Sequence, residues 1–404
     1  MKPYPFQEVG EAFLAERSRA YLADRMGLGK TVQTVLAARR VKPTFTLVVA
    51  PASTLANWER EWEKWNGPSG MRAISYSKLV RFPKRALLRE IAAARPNLLV
   101  LDEAHYTKSP SAQRTRMALG LAAKADRAWL LSGSPTPNGD PRELYTAFRY
   151  LWPDLMPAGE NGLMTSWDWM NYFCKWRPTT YGPKVYGVKN AAVLRGMLAR
   201  VMLRRDLGDV GIDLPPLRVT VHYLTDEEGA KKYRELDEET PGPTLRRLLG
   251  EIKAAPVGEL LSHEMKDRAY DKIVVMYYHK ATGRVLRDRF HAADLNVYGF
   301  DGYTPQKMRQ EQIDAFERRD RAVFLVQQQA GGVGINLQTA TEIALVEPDW
   351  SPEVNAQAIK RVHRIGQTRP VRARVFALSS TLDGPILEAI AEKVERRQEI
   401  LGNG

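Results

Sequence analysis

Cysteine is almost absent from this 404-residue chain, and Cys174 stands alone. One thiol excludes an internal disulfide and any cysteine-based zinc site. No apolar run approaches the roughly 18 residues that a membrane-spanning helix needs. The opening Met1-Lys-Pro-Tyr-Pro5 lacks the apolar core of a secretory signal. The expectation is a soluble, intracellular protein with no membrane partner. Acidic residues are also in short supply, with 60 Lys and Arg against 47 Asp and Glu and a net charge of +13. Such a field attracts polyanions, above all nucleic acid, and a basic surface that merely keeps the chain in solution is the other reading.

What is present is ordinary for a globular protein: 44% hydrophobic and 26% charged residues, with no repeat or low-complexity tract. Continuous apolar runs recur at 45–50, 97–101, 128–131, 273–277, 322–326, 343–346 and 375–378. Continuous rather than alternating apolarity marks strands covered on both faces, as in parallel sheets. The runs fall into two clusters, which predicts an α/β fold of two lobes, 1–212 and 213–404, parting near Leu214-Pro-Pro216. Helical insertions are expected at about 140–205 and about 225–268. Leu55, Trp58, Trp62 and Trp65 recur at helical spacing, which places them on one face. That face reads as core in preference to a base-stacking platform.

Asp24-Arg-Met-Gly-Leu-Gly-Lys-Thr31 has the ending of a phosphate-binding loop. Gly27 and Gly29 let backbone N–H groups approach phosphate oxygens at a helix N-terminus, Lys30 reaches the β and γ phosphates, and Thr31 places a hydroxyl on Mg²⁺. The first glycine of the pattern is replaced by Asp24, so a glycine turn opening a surface helix stays open as an alternative. Asp102-Glu-Ala-His105 follows the apolar run ending at Leu101, which puts both carboxylates at the carboxyl end of a strand, where ligands of open parallel sheets gather. There Asp102 can hold Mg²⁺ and Glu103 can orient and deprotonate an attacking water.

Gln357, Arg361 and Arg364 are spaced by four and then three, so on a helix they would share a face. Permanently charged guanidinium groups can stabilise charge spread over phosphate oxygens, worth about 10³ to 10⁵ in rate for an arginine finger. A basic, solvated helix face including Lys360 is the other reading.

The order of segments resembles the Swi/Snf-type family of superfamily 2 helicases, near its annealing-helicase branch, over nearly the whole chain. Phe6-Gln7 is similar to the adenine-reading motif, Asp24–Thr31 with Met26 and Leu28 to motif I, and Val49–Trp58 to motif Ia. Asp102–His105 resembles motif II and Leu131–Asn138 motif III. In the second half, Asp301-Gly with Arg309, Ala330–Leu337 with Gly334, and Pro348–Pro352 follow in the family's order. His363-Arg-Ile-Gly-Gln367, with Gln357 and Arg361 before it, is the most specific match. Met202-Leu-Arg-Arg205 and Leu214-Pro-Pro216 resemble the family's junction between lobes.

The resemblance implies two RecA-like lobes that bind ATP and Mg²⁺ and run on duplex or branched DNA. Asp102, Glu103, Gln357, Arg361 and Arg364 carry the family's roles, and Ser53, Ser132, Asn336 and Trp350 are expected on the DNA side or in coupling. The implied activity is a DNA-dependent ATPase that translocates on duplex DNA without efficient strand separation. An RNA or DNA helicase and a non-enzymatic DNA-binding scaffold are the alternatives. A monomeric core, targeted by partner proteins, is expected in the cytoplasm beside the nucleoid, or in host cytoplasm if phage-encoded. Three departures from the family pattern stand out: Arg25 in place of an acid, Ser134 of a threonine and Gly384 of a glutamate. Arg25 either strengthens phosphate attraction or pairs with a nearby acid.

Overall fold

Strands too apolar to alternate need cover on both faces, and the structure meets this need with two parallel sheets. A computed structural model describes residues 2–81, 96–159, 162–180, 182–237, 240–331 and 335–402. The chain divides into two units, Met1–Ile212 with Glu392–Gly404, and Asp213–Ala391.

In the first unit, β1 (Arg19–Leu22), β2 (Thr46–Ala50), β3 (Met71–Ser75), β4 (Leu98–Asp102), β5 (Arg127–Leu131) and β10 (Met202–Leu203) form one parallel sheet in the order β10-β1-β5-β4-β2-β3. One face packs on a core that includes Leu99, Leu130 and Phe148, the other on one that includes Val35, Val48 and Trp129. Trp58, Trp62 and Trp65 are buried in that second core, so the aromatic stripe is packing. In the second unit, β11 (Leu217–Leu224), β12 (Lys272–Tyr277), β13 (Val297–Phe300), β14 (Ala322–Gln327), β15 (Glu342–Leu345) and β16 (Val371–Leu378) form a second parallel sheet, ordered β11-β16-β15-β12-β14-β13. Each sheet ends its central strands at the motif-bearing loops. Both units are thus open parallel α/β sheets, the architecture expected of RecA-like lobes.

Two expectations need correction. The last residues were assigned to the second lobe, but Glu392–Gly404 packs with the first unit. Ile400 enters its core, Arg195 donates to the Glu399 carbonyl at 2.6 Å, and Arg396 donates to the Gly139 carbonyl at 3.2 Å. The insertion at 140–205 is also not wholly helical. Between helices Arg142–Leu151, Ser166–Phe173 and Ala191–Val201 it carries the short pair β6 (Ala158–Gly159) and β7 (Gly162–Leu163), and an antiparallel hairpin of β8 (Cys174–Arg177) and β9 (Lys184–Val188). Pro178, Gly182 and Pro183 break a helix there and favour the turn.

Candidate nucleotide site

The loop from Asp24 to Lys30 joins β1 to helix Lys30–Val41. Gly27 and Gly29 adopt φ of +98° and +68°, conformations that glycine reaches without a Cβ penalty. A side chain at Gly29 would meet the Gln7 amide nitrogen at 2.5 Å, so Gln7 and the loop lie against each other. The Lys30 ammonium donates to the Asp24 carbonyl at 2.8 Å, and a Cβ on Gly133 would lie 3.4 Å from it. Lys30 thus stands between the loop and the segment after β5.

Asp24 is fully buried. Arg205 donates to its two carboxylate oxygens at 3.0 and 2.6 Å, and Gln33 donates to it at 3.0 Å. Arg205 also donates to the Phe6 carbonyl at 2.7 Å and to the Gln33 side-chain oxygen at 3.0 Å. The acid at the missing glycine is therefore a brace, tying the adenine-motif segment, the loop and the end of the first unit together. Arg25 pairs with Asp206 at 2.5 Å, which decides between its two readings in favour of an ion pair.

At the end of β4, Asp102 accepts from the Trp58 indole at 2.8 Å and from the Glu103 backbone N–H at 3.0 Å. Burial and the neighbouring Glu103 push its pKa up to about 6, against the opposing pull of Trp58 and Lys30. Glu103 sits at φ +48°, ψ +53°, a left-handed conformation that costs a non-glycine residue about 1–3 kcal/mol and clusters at functional sites. Its carboxylate lies 3.2 Å from the His105 ring nitrogen Nδ1 and 3.5 Å from the Ser132 hydroxyl, and His105 and Ser132 are 3.0 Å apart. Ser132, expected on the DNA side or in coupling, is fully buried between the carboxylates and the loop after β5, and also accepts from the Ser134 backbone N–H.

Ser53 is exposed and lines a cleft of about 500 Å³ with Ser75, Tyr76, Tyr106 and Arg114. Tyr76 stacks on Tyr106, with ring centres 5.4 Å apart, and donates to the Asp102 carbonyl at 2.9 Å.

In the second unit the expected shared helical face is not formed. Helix Pro352–Ile359 carries Gln357 and ends before Arg361 and Arg364, which lie in successive turns closing at Gly366 with φ +99°. Arg361 is buried, and its carbonyl accepts from the Leu337 N–H at 3.0 Å. Arg364 is half-buried and donates to the Ile335 carbonyl at 3.3 Å, and burial lowers its pKa. Asn336 is exposed and Trp350 half-buried, and Gly334 lies outside the described residues.

A helicase conserved C-terminal domain model matches residues 253–366, and an SNF2-related domain model matches 6–87 and 83–266. The chain belongs to the SNF2-related family. An SNF2-related relative from Drosophila melanogaster, "SWI/SNF-related matrix-associated actin-dependent regulator of chromatin subfamily A-like protein 1", is 26% identical over 98% of this chain and 55% of its own length. "DNA annealing helicase and endonuclease ZRANB3" from Bos taurus is 27% identical over 95% of this chain and 39% of its own length. The chain thus spans about half or less of these two relatives. The "Sulfolobus solfataricus SWI2/SNF2 ATPase core in complex with dsDNA" is similar at 22% identity, covering 100% of this chain and 99% of that one, with a TM-score of 0.43. This SNF2-related chain thus carries both domains of a helicase-like ATPase.

Three residues of this SNF2-related chain escaped the sequence reading as working parts. Trp58 read as core and is core, yet its indole N–H also orients Asp102. Arg205 marked a lobe junction and proves to brace the loop. Gln367 is buried and donates to the carbonyls of Gln338 and Ala340, each at 2.9 Å, while accepting from the backbone of Thr368 and Arg369. It staples the arginine segment to residues 338–340, just before β15. Its place at the end of His363-Arg-Ile-Gly-Gln367 was the signal available for it.

Proposed function

We propose that this chain is an ATP-driven motor that moves along duplex DNA, remodelling DNA structures or protein–DNA complexes without efficient strand separation. The observation that carries the reading is the Asp102–Glu103 pair at the end of β4, where the strained Glu103 is tied through His105 to the buried Ser132. A water-activating carboxylate wired to the loop after β5 suits an enzyme whose hydrolysis is coupled to movement.

Lys30 and the loop N–H groups bind and orient the β and γ phosphates. Thr31 and Asp102 are the residues that would hold Mg²⁺, and the chemistry of that pair fits a hard cation: a hydroxyl and a carboxylate beside the Lys30 charge. Bound Mg²⁺ would neutralise charge on the phosphate oxygens. Glu103 accepts a proton from the attacking water. Arg361 and Arg364 supply permanent positive charge for the transferring phosphoryl group.

A net charge of +13 supports backbone contact with DNA, which makes binding salt-sensitive and weakly dependent on sequence. A relative named as a DNA annealing helicase supports a role in repair or recombination. We place the chain inside the cell as a monomeric core, directed by partner proteins or by DNA structure. ATP turnover compared across blunt duplex, single-stranded and branched DNA and RNA tests the reading. Duplex DNA should stimulate most strongly, together with branched DNA. Stimulation by RNA alone would replace the reading with an RNA helicase, and no stimulation by any nucleic acid would replace it with a scaffold.

A further inference from the structure

The insertion of the first unit presents a rigid cationic and aromatic face that none of the chemistry above uses. Across the β8–β9 hairpin, Cys174 pairs with Val188, Lys175 with Gly187, Trp176 with Val185 and Arg177 with Lys184, with a register shift between Lys175 and Trp176. Cys174, Val185 and Val188 are buried, whereas Lys175, Arg177, Lys184 and Tyr186 are exposed, Tyr186 at 54%. The outward face is thus three cations around one open aromatic ring. Arg177 and Lys184 stand directly opposite each other, a like-charge cross-strand pair that by itself weakens a hairpin.

Acids are scarce along this stretch of the chain. Between residues 162 and 190 the chain has four basic residues, Lys175, Arg177, Lys184 and Lys189, and one acid, Asp168. Asp168 is held by the backbone N–H and hydroxyl of Thr165, both at 2.8 Å.

The face is also held still. The Trp176 indole donates to Asn171 at 3.0 Å, the Lys189 N–H to the Phe173 carbonyl at 2.8 Å, and Asn190 to the Tyr172 carbonyl at 2.9 Å. Thr179 and Gly182 exchange backbone hydrogen bonds that close the turn. A preorganised surface loses little freedom on binding.

We infer that this hairpin is a second DNA contact, which takes an unpaired single-stranded segment by stacking a base on Tyr186 and holding its phosphates with Lys175, Arg177 and Lys184. Polyanion and planar base are the chemistry this face complements. Positive grooves with stacking aromatics are how single strands are gripped without sequence preference. A fully paired duplex offers no free base face, so the hairpin distinguishes gapped or branched DNA from plain duplex. The inference rests on the DNA-motor reading for its substrate, and it is measured without ATP.

The test is binding of the full chain to a labelled blunt duplex, the same duplex with a single-stranded gap, and oligo-dT. Tyr186→Ala should weaken gapped DNA and oligo-dT by about 5- to 100-fold, the loss of one base–aromatic stack. Binding to blunt duplex and duplex-stimulated ATP turnover should stay within about twofold. Tyr186→Phe should restore binding. The Lys175→Gln, Arg177→Gln, Lys184→Gln triple variant should lower the salt slope on oligo-dT by about 2, from about 0.7 per phosphate contact. Equal weakening on blunt duplex, no weakening on gapped DNA, or failure of Tyr186→Phe to restore binding overturns the inference. A wild-type chain whose ATP turnover ignores duplex DNA sinks the motor reading, while these binding differences still decide the hairpin.

Discussion

Arg205 closes on Asp24 with two hydrogen bonds, at 3.0 and 2.6 Å, and the acid it holds is fully buried in the first unit. The pair spans 181 residues of sequence. It turns an anomaly of the phosphate loop, an acid in place of its first glycine, into the loop's anchor. Removing one partner of a buried pair leaves an uncompensated charge, typically a loss of about 3–5 kcal/mol. Arg205→Met should therefore lower the free energy of urea unfolding by that order and weaken ATP binding. Asp24→Asn, which leaves an acceptor for Arg205, should lose less. If the two variants lose equally, the brace is not electrostatic.

Asp102 gives the site an acid limb. Its pKa is raised from 3.8 to about 6 by burial and by Glu103, so the folded state keeps a proton that the unfolded chain releases. Between about pH 4 and about pH 6 its contribution to stability thus falls as pH rises. Cation binding needs the ionised form and behaves oppositely, falling as pH drops through about 6. Titration of Mg²⁺-dependent nucleotide binding should show this limb. Asp102→Asn should remove it, abolish hydrolysis, and leave the metal-free protein at least as stable at neutral pH.

Trp58 tunes that limb. Trp58→Phe keeps an aromatic core residue and deletes a hydrogen bond to a charged acceptor, a bond worth about 1.5–3 kcal/mol. With its lowering influence gone, the acid limb of Mg²⁺-nucleotide binding should move to higher pH, and more Mg²⁺ should be needed for half-maximal turnover. A variant that is less stable but has an unmoved limb would make Trp58 packing alone.

On the proposed mechanism, Glu103 and Arg364 act on turnover and not on fold. Glu103→Gln should cut hydrolysis by about 10² to 10⁴ and Arg364→Ala by about 10³ or more, each with nucleotide affinity within a few-fold of wild type. Comparable losses in affinity would assign these side chains to binding.

Much of this arrangement is legible in the sequence because its signals are local. Buried runs such as Leu98–Asp102 announce central strands, and the loop from Asp24 to Thr31 and the arginine segment carry fixed spacings. Short or charged strands hide: β3 contains Arg72, and β1 has four residues, one of them Arg19. The hairpin was read as helix because Trp167, Trp169, Trp176 and the residues between are aromatic without a clean period. The roles of Arg205 and Trp58 were illegible because each depends on a partner brought close only by folding. Helical spacing cannot reveal that Trp58 meets Asp102 across 44 positions. The shared helical face of Arg361 and Arg364 failed for a related reason, since the helix stops at Ile359.

The motor claim is tested most directly by displacement of a triplex-forming strand from duplex DNA. The account predicts ATP-dependent displacement by the wild-type chain, none by Glu103→Gln, and an intact duplex afterwards. ATP turnover stimulated by duplex DNA without any displacement, or rapid separation of the duplex itself, would contradict it.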